Sequence, residues 1–145
     1  MTFKNPIARL MVMSMLALGA PAVADGTSSL LTSLDDREFQ EMMPGIDFSI
    51  VSGDPAGAAS TLVVRLAPNF PGAMHNHSSA YTAVVLKGAH RHWDLGQDSA
   101  DVPTLLPGDT FYQPGGAFHQ DANPTSEASY VFITMHGPLD FHMHE

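Results

Sequence analysis

From Ile46 onward the chain is a series of short apolar runs broken by turns. The runs "IDFSIVS", "STLVVRLA", "AYTAVVLKG", "AHRHWDL", "DTFYQ" and "SYVFITMH" are rich in β-branched and aromatic residues. The clusters "SGDPAG", "APNFPG", "LPGD", "QPGG" and "ANPTS" separate them. Short strands at regular spacing with Gly/Pro turns predict an all-β sandwich or barrel. The prolines fall between the runs, where no ladder hydrogen bond is lost. Ahead of the runs stands "DGTSSLLTSLDDREFQEMMPG". Ser33 followed by Asp36 predicts a capped start to a short N-terminal helix over "LDDREFQEM", ended by Pro44-Gly45. No internal repeat and no low-complexity linker divides this stretch.

The first two dozen residues follow a different grammar. "MTFKNPIAR" carries Lys4 and Arg9 and no acid. Leu10 to Ala20 is an apolar run too short to span a bilayer as a stable helix. Ala22-Val23-Ala24 then offers a small-x-small cleavage site. Residues 1–24 therefore read as a secretory signal peptide, with the domain at 25–145 and its core at about 46–135. A periplasmic or secreted protein is the expectation. Residues 25–145 suffice for one compact core without disulfides, and the chain has no cysteine.

Charge narrows the partners. After residue 24 only Arg37, Arg65, Lys87 and Arg91 stand against all the acidic residues. Such an acidic domain is a poor match for nucleic acid or for an anionic membrane surface. A small-molecule substrate or ligand is the expected partner.

All eight histidines lie between residue 75 and the end. Residues two apart on an extended segment share a face, so His75 and His77 can converge on one point. Neutral imidazole suits Zn, Cu, Fe and Ni. Alone, such a pair is equally two solvated loop histidines. His90 and His92 share a strand face and either line the pocket or lie outside it, with the surface or rim the favoured place. His136 follows "YVFITM" and is read as pointing inward; His142 and His144 are read as a solvated tail. No cysteine nucleophile, G-x-S-x-G elbow or phosphate loop competes for the chemistry.

A second stretch gives the pair a context. In "PGDTFYQPGGAFHQDANP", Gly108, Pro114, Gly116, His119 and Asn123 stand at the fixed offsets of the second cupin motif, and every one matches. Of the first motif, His75, His77 and Gly88 fit in register. Asn69 stands where its leading glycine is expected, and Tyr81 where its glutamate is expected. The chain thus resembles the cupin superfamily. The resemblance implies a single cupin β-barrel of the double-stranded β-helix (jelly-roll) type, and a homodimer. It also implies one divalent transition metal held by His75, His77 and His119, with Fe(II) the first choice and Zn, Mn or Cu the others.

Tyr81 is the candidate catalytic residue, beside the metal or on it, with simple packing as the plain alternative. Without the glutamate, three imidazoles would leave the ion its full charge and open coordination positions. A substrate that brings an anion, such as an enolate or carboxylate, would suit it. Such a site resembles cupins that cleave diketone-like substrates with dioxygen, so the expected activity is a metal-dependent dioxygenase. A Zn-type lyase or hydrolase and a non-catalytic binding cupin are the alternatives.

Overall fold

A computed structural model describes residues 29–145, and Leu34–Glu145 form one compact unit. The expected signal peptide, residues 1–24, lies outside the described residues. The strands are β1 (Gln40–Met43), β2 (Ile46–Gly53), β3 (Ser60–Leu66), β4 (His75–Asn76) and β5 (Tyr81–Lys87). They continue as β6 (Arg91–Asp94), β7 (Thr110–Gln113), β8 (His119–Ala122), β9 (Ser129–Met135) and β10 (His142–Met143). One sheet has the order β1-β2-β3-β9-β5-β7 and the other β10-β4-β8-β6. The pairings are antiparallel throughout. The crossing from one sheet to the other and back is that of a jelly roll, as the sequence predicts.

The strand patterns show why. Tyr81, Ala83 and Val85 of β5 are buried while Thr82 and Leu86 are exposed, the period-two signature of a half-buried strand. In β3, Leu62, Val63 and Val64 are buried in succession, and the strand is paired on both edges, by β2 and β9. Met42, Ile46, Leu62, Val64, Leu66, Tyr81, Val131 and Met135 pack together as the core.

The predicted N-terminal helix is not formed. Residues 34–36 make a bend and turn, and Gln40–Met43 pair with β2 as an edge strand. A nine-residue helix would bury one narrow stripe. The open edge of β2 instead satisfies backbone groups over the same length and seats Met42 in the core. The only helical turn among the described residues is a 3-10 turn, Ser99–Asp101, capped by Asp98.

Two loop residues bring the sheets together at the site. Asn69 has φ 53, a left-handed conformation that asparagine tolerates. The exchange of glycine for asparagine at this motif position therefore keeps the backbone bend. Gly72 has φ 76, and a Cβ there would lie 2.0 Å from the Asp121 carbonyl oxygen. Its bare backbone lets the chain leading into β4 lie directly on β8. Asn123 fastens the same loop: its Nδ2 donates to the carbonyls of Ala67 and Glu127 at 2.9 and 2.7 Å.

Candidate metal centre

β4 and β8 pair so that His75 sits directly opposite His119. His77 follows β4 and turns toward the same point. The ligand atoms of His75, His77 and His119 all lie within 4.8 Å of one another, and all three residues are buried. The three histidines picked out by motif spacing are thus brought together.

Their ring orientations are set by backbone carbonyls. His75 Nδ1 lies 2.8 Å from the Ala73 carbonyl and His119 Nδ1 3.2 Å from that of Ala117. His77 Nδ1 meets the Asp140 carbonyl. A carbonyl only accepts, so each Nδ1 carries the proton and each Nε2 is left to face the centre. That is the arrangement metal-ligating histidines adopt, with the far ring N–H tied to an acceptor. Burial lowers the pKa of His77 to about 4, and burial likewise lowers that of His75. Both rings are therefore neutral at pH 7, as metal ligation requires. The donor set fits a divalent transition metal.

Tyr81 is buried, and its hydroxyl lies 3.1 Å from His119 Nε2. Burial, with the nearby charges of Asp121 and Asp94, raises the phenol well above its usual value. It stands beside the centre as a neutral hydrogen-bonding group.

Three features escape the sequence reading. First, His90 and His92 are not at the surface. His90 is 2% exposed, and both rings turn inward against Phe111. Second, Asp121 joins them. Its Oδ1 accepts from His90 Nε2 at 2.9 Å and from His92 Nδ1 at 2.8 Å. Its Oδ2 lies 3.4 Å from His119 Nε2 and 4.0 Å from His75 Nε2. Burial works against ionisation of Asp121, but the hydrogen bonds from His90 and His92 help outweigh it and hold the carboxyl well below its usual range. Burial also pulls His92 down, and Asp121 more than compensates, so His92 is raised. A carboxylate two residues after His119 on a strand shares its face, which is the signal that was there to be read. The centre is therefore not without an anion.

Third, the C-terminal stretch is not a loose tail. β10 pairs with β4, and Phe141 packs its ring 4.6 Å from that of His77 and 5.2 Å from that of His75. Asp140 accepts from the Ser78 backbone N–H at 2.7 Å and from the Ser78 hydroxyl. The side chains of His142 and His144 are exposed, as expected. His136 is exposed too, not inward; the strand alternation places Met135 in the core instead.

Beside the histidines lies a cavity of about 50 Å³. Its walls are Leu62, Val131, Ile133, Leu139 and Phe141, and Tyr81, His75, His77 and Asp121 also line it. It suits a small, mostly apolar molecule with one polar end.

A jelly roll with three inward histidines, two of them lining an apolar cavity, defines the cupin class. The ChrR cupin-like domain family matches residues 27–140, and the chain belongs to that family. No curated protein matches it. A double-stranded β-helix protein from Klebsiella pneumoniae subsp. pneumoniae is similar in fold, with TM-score 0.62 and 21% identity over 81% of this chain and 99% of that one. KdgF from Halomonas sp. gives a TM-score of 0.57 and 22% identity over 72% and 92%. The anti-sigma ChrR of Rhodobacter sphaeroides, in complex with SigE, gives 0.55 and 17% over 71% of this chain and 50% of that one.

Proposed function

We propose that the chain is a metal-dependent cupin enzyme of the periplasm or exterior, working as a homodimer on a small organic molecule. The observation that carries this reading is the set of three buried Nε2 atoms, each aimed by a carbonyl behind it, next to an apolar cavity that His75 and His77 line. His75, His77 and His119 would hold the ion. When bound, it would supply Lewis-acid polarisation of a substrate oxygen or activation of dioxygen. The apolar wall of Leu62, Val131, Ile133 and Phe141 holds the substrate body and keeps water from it. The Tyr81 hydroxyl, neutral and beside His119, hydrogen-bonds the oxygen on which charge develops. Oxidative cleavage of a diketone-like substrate is the specific reaction carried forward.

A second reading is a non-catalytic cupin that binds a ligand or metal; the match to the ChrR cupin-like family, and the likeness in fold to the anti-sigma ChrR, support it.

The test is an oxygen-electrode trace on the Fe(II)-, Mn- and Zn-loaded proteins with a panel of diketones and hydroxyketones. Substrate-dependent oxygen uptake by the Fe(II) form, absent in His119→Ala, is the expected result. Turnover by the Zn form without oxygen uptake moves the assignment to a lyase or hydrolase. Ligand-dependent stabilisation with no turnover in any form establishes the binding module.

A further inference from the structure

The residue that replaces the glutamate of the first motif does not carry its charge, yet a carboxylate reaches the same centre from another strand. We infer that Asp121 is the fourth protein ligand of the ion on His75, His77 and His119, with His90 and His92 as the residues that aim it. The inference rests on the metal reading of the three histidines and adds to it.

Three observations carry it. The first is distance. With bonds of about 2.0–2.2 Å, donor atoms around one ion sit roughly 3 to 4 Å apart. Asp121 Oδ2 lies 3.4 Å from His119 Nε2 and 4.0 Å from His75 Nε2. Both nitrogens are the metal-facing ones, because each Nδ1 is already committed to a carbonyl.

The second is the division of labour between the two carboxylate oxygens. Oδ1 is taken by His90 and His92. Their hydrogen bonds fix the plane of the carboxylate and leave Oδ2 facing the three histidines. Ligating carboxylates are usually held in this way by partners behind them. Gln113 fixes His92 in turn: its Nε2 donates to the Ala117 carbonyl at 2.9 Å, so its Oε1 is the atom that faces His92 Nε2, at 2.9 Å. His92 Nε2 therefore carries a proton.

The third decides against the obvious rival. His90, His92 and Asp121 also have ligand atoms within 4.8 Å of one another, as a separate metal site would. An ion bound to His90 Nε2 would force the ring proton onto Nδ1. His90 Nδ1 is buried with no hydrogen-bond partner among the described residues. A buried N–H without an acceptor is costly, and the three other histidines all avoid it. With the proton on Nε2, His90 donates to Asp121 and leaves only a bare lone pair at Nδ1. His90 is thus a positioning residue for the carboxylate and not a ligand.

The primary test needs no substitution: a crystal structure of the full chain grown with Zn(II), with the ion placed by anomalous scattering. Asp121 Oδ2 within about 2.2 Å of the ion is the expected result. An ion on the three histidines with Asp121 beyond bonding distance overturns this inference and leaves the metal reading intact. No ion at the three histidines overturns both. An ion on His90, His92 and Asp121 overturns it in favour of a second site.

Solution measurements add a readout. Asp121→Asn should still bind one Co(II) per chain, more than about 100-fold weaker than wild type by chelator competition, and with an altered visible spectrum. His90→Gln should weaken binding by about 10–100-fold without changing stoichiometry. Tyr81→Glu restores a carboxylate at the first-motif position, so it should recover affinity in the Asp121→Asn background and add little in wild type. Equal gains in both backgrounds would show that Asp121 does not ligate.

Discussion

Tyr81 and Asp121 flank His119 and divide between them what a single glutamate would have done. The carboxylate supplies charge, and the phenol supplies a neutral donor 3.1 Å from His119 Nε2. Tyr81→Phe should therefore keep its metal, by elemental analysis, while turnover falls by about 100-fold or more. Loss of the metal from that variant would make Tyr81 a ligand instead. The histidines also set a pH dependence. Burial holds His77 at about 4 in the fold, against the ordinary histidine value of 6.5 in the unfolded chain. Between those values the unfolded state binds the extra proton, so the metal-free protein should lose stability as pH falls from 6.5 toward 4, and no further below that. The stability at stake from this one ring is on the order of 3 kcal/mol. His92 acts oppositely: its raised pKa gives stability that is present below pH 6.5 and lost as pH rises through its folded value. Urea denaturation of metal-free wild type and His77→Gln from pH 4 to 8 checks this, and the variant should show the smaller loss on the acid side.

Individual strands differ in how far they could be read in advance. β2, β3, β5 and β9 are seven or eight residues long and show their apolar patterning plainly. β4 and β10 have two residues each, too few for any period, and they exist because they pair with each other. β1 was hidden for a related reason. A local cap and a run of charged residues suggest a helix, and only the edge of β2 makes a strand the better solution. The histidines of the centre were legible because motif spacing marks them. Asp121 carried a signal in its spacing from His119, but its meeting with His90 and His92 was not legible, because that depends on the β6–β8 register, which pairs His92 with Asp121. The stretch from Gly137 onward holds the clearest test at this scale. Removing residues 138–145 deletes the Asp140 carbonyl that anchors His77 Nδ1 and the Phe141 ring packed on His75 and His77. The truncated chain should keep its strand content by circular dichroism and bind Zn(II) about 10–100-fold more weakly in a chelator competition.

For the whole molecule, the two sheets meet through the centre: β4, β6 and β8 of one sheet supply His75, His92, His119 and Asp121, and β5 of the other supplies Tyr81. An ion that binds there binds only the folded state, since the unfolded chain scatters its ligands. At a free Zn(II) concentration of about 100 times Kd, unfolding should cost roughly 2.7 kcal/mol more. A thermal melt should shift upward with Zn(II) in wild type and not in His119→Ala. The acidic surplus of the chain told little about this, because the charge that matters is one buried carboxylate and not the sum over the surface.

The order in which the ligands occur along the chain carries a further consequence. His75 and His77 come first, His119 and Asp121 more than forty residues later, and the Asp140 carbonyl and Phe141 another twenty beyond. A nascent chain that has emerged as far as β9 already has every metal-binding side chain but lacks the group that turns His77. Until residue 141 is free to fold back beside β4, the ring of His77 has no reason to hold its orientation. Tight metal binding would therefore come last: a chain that ends before residue 138 would hold a cation more weakly, and the final stretch to emerge is the one that sets the His77 ring for it.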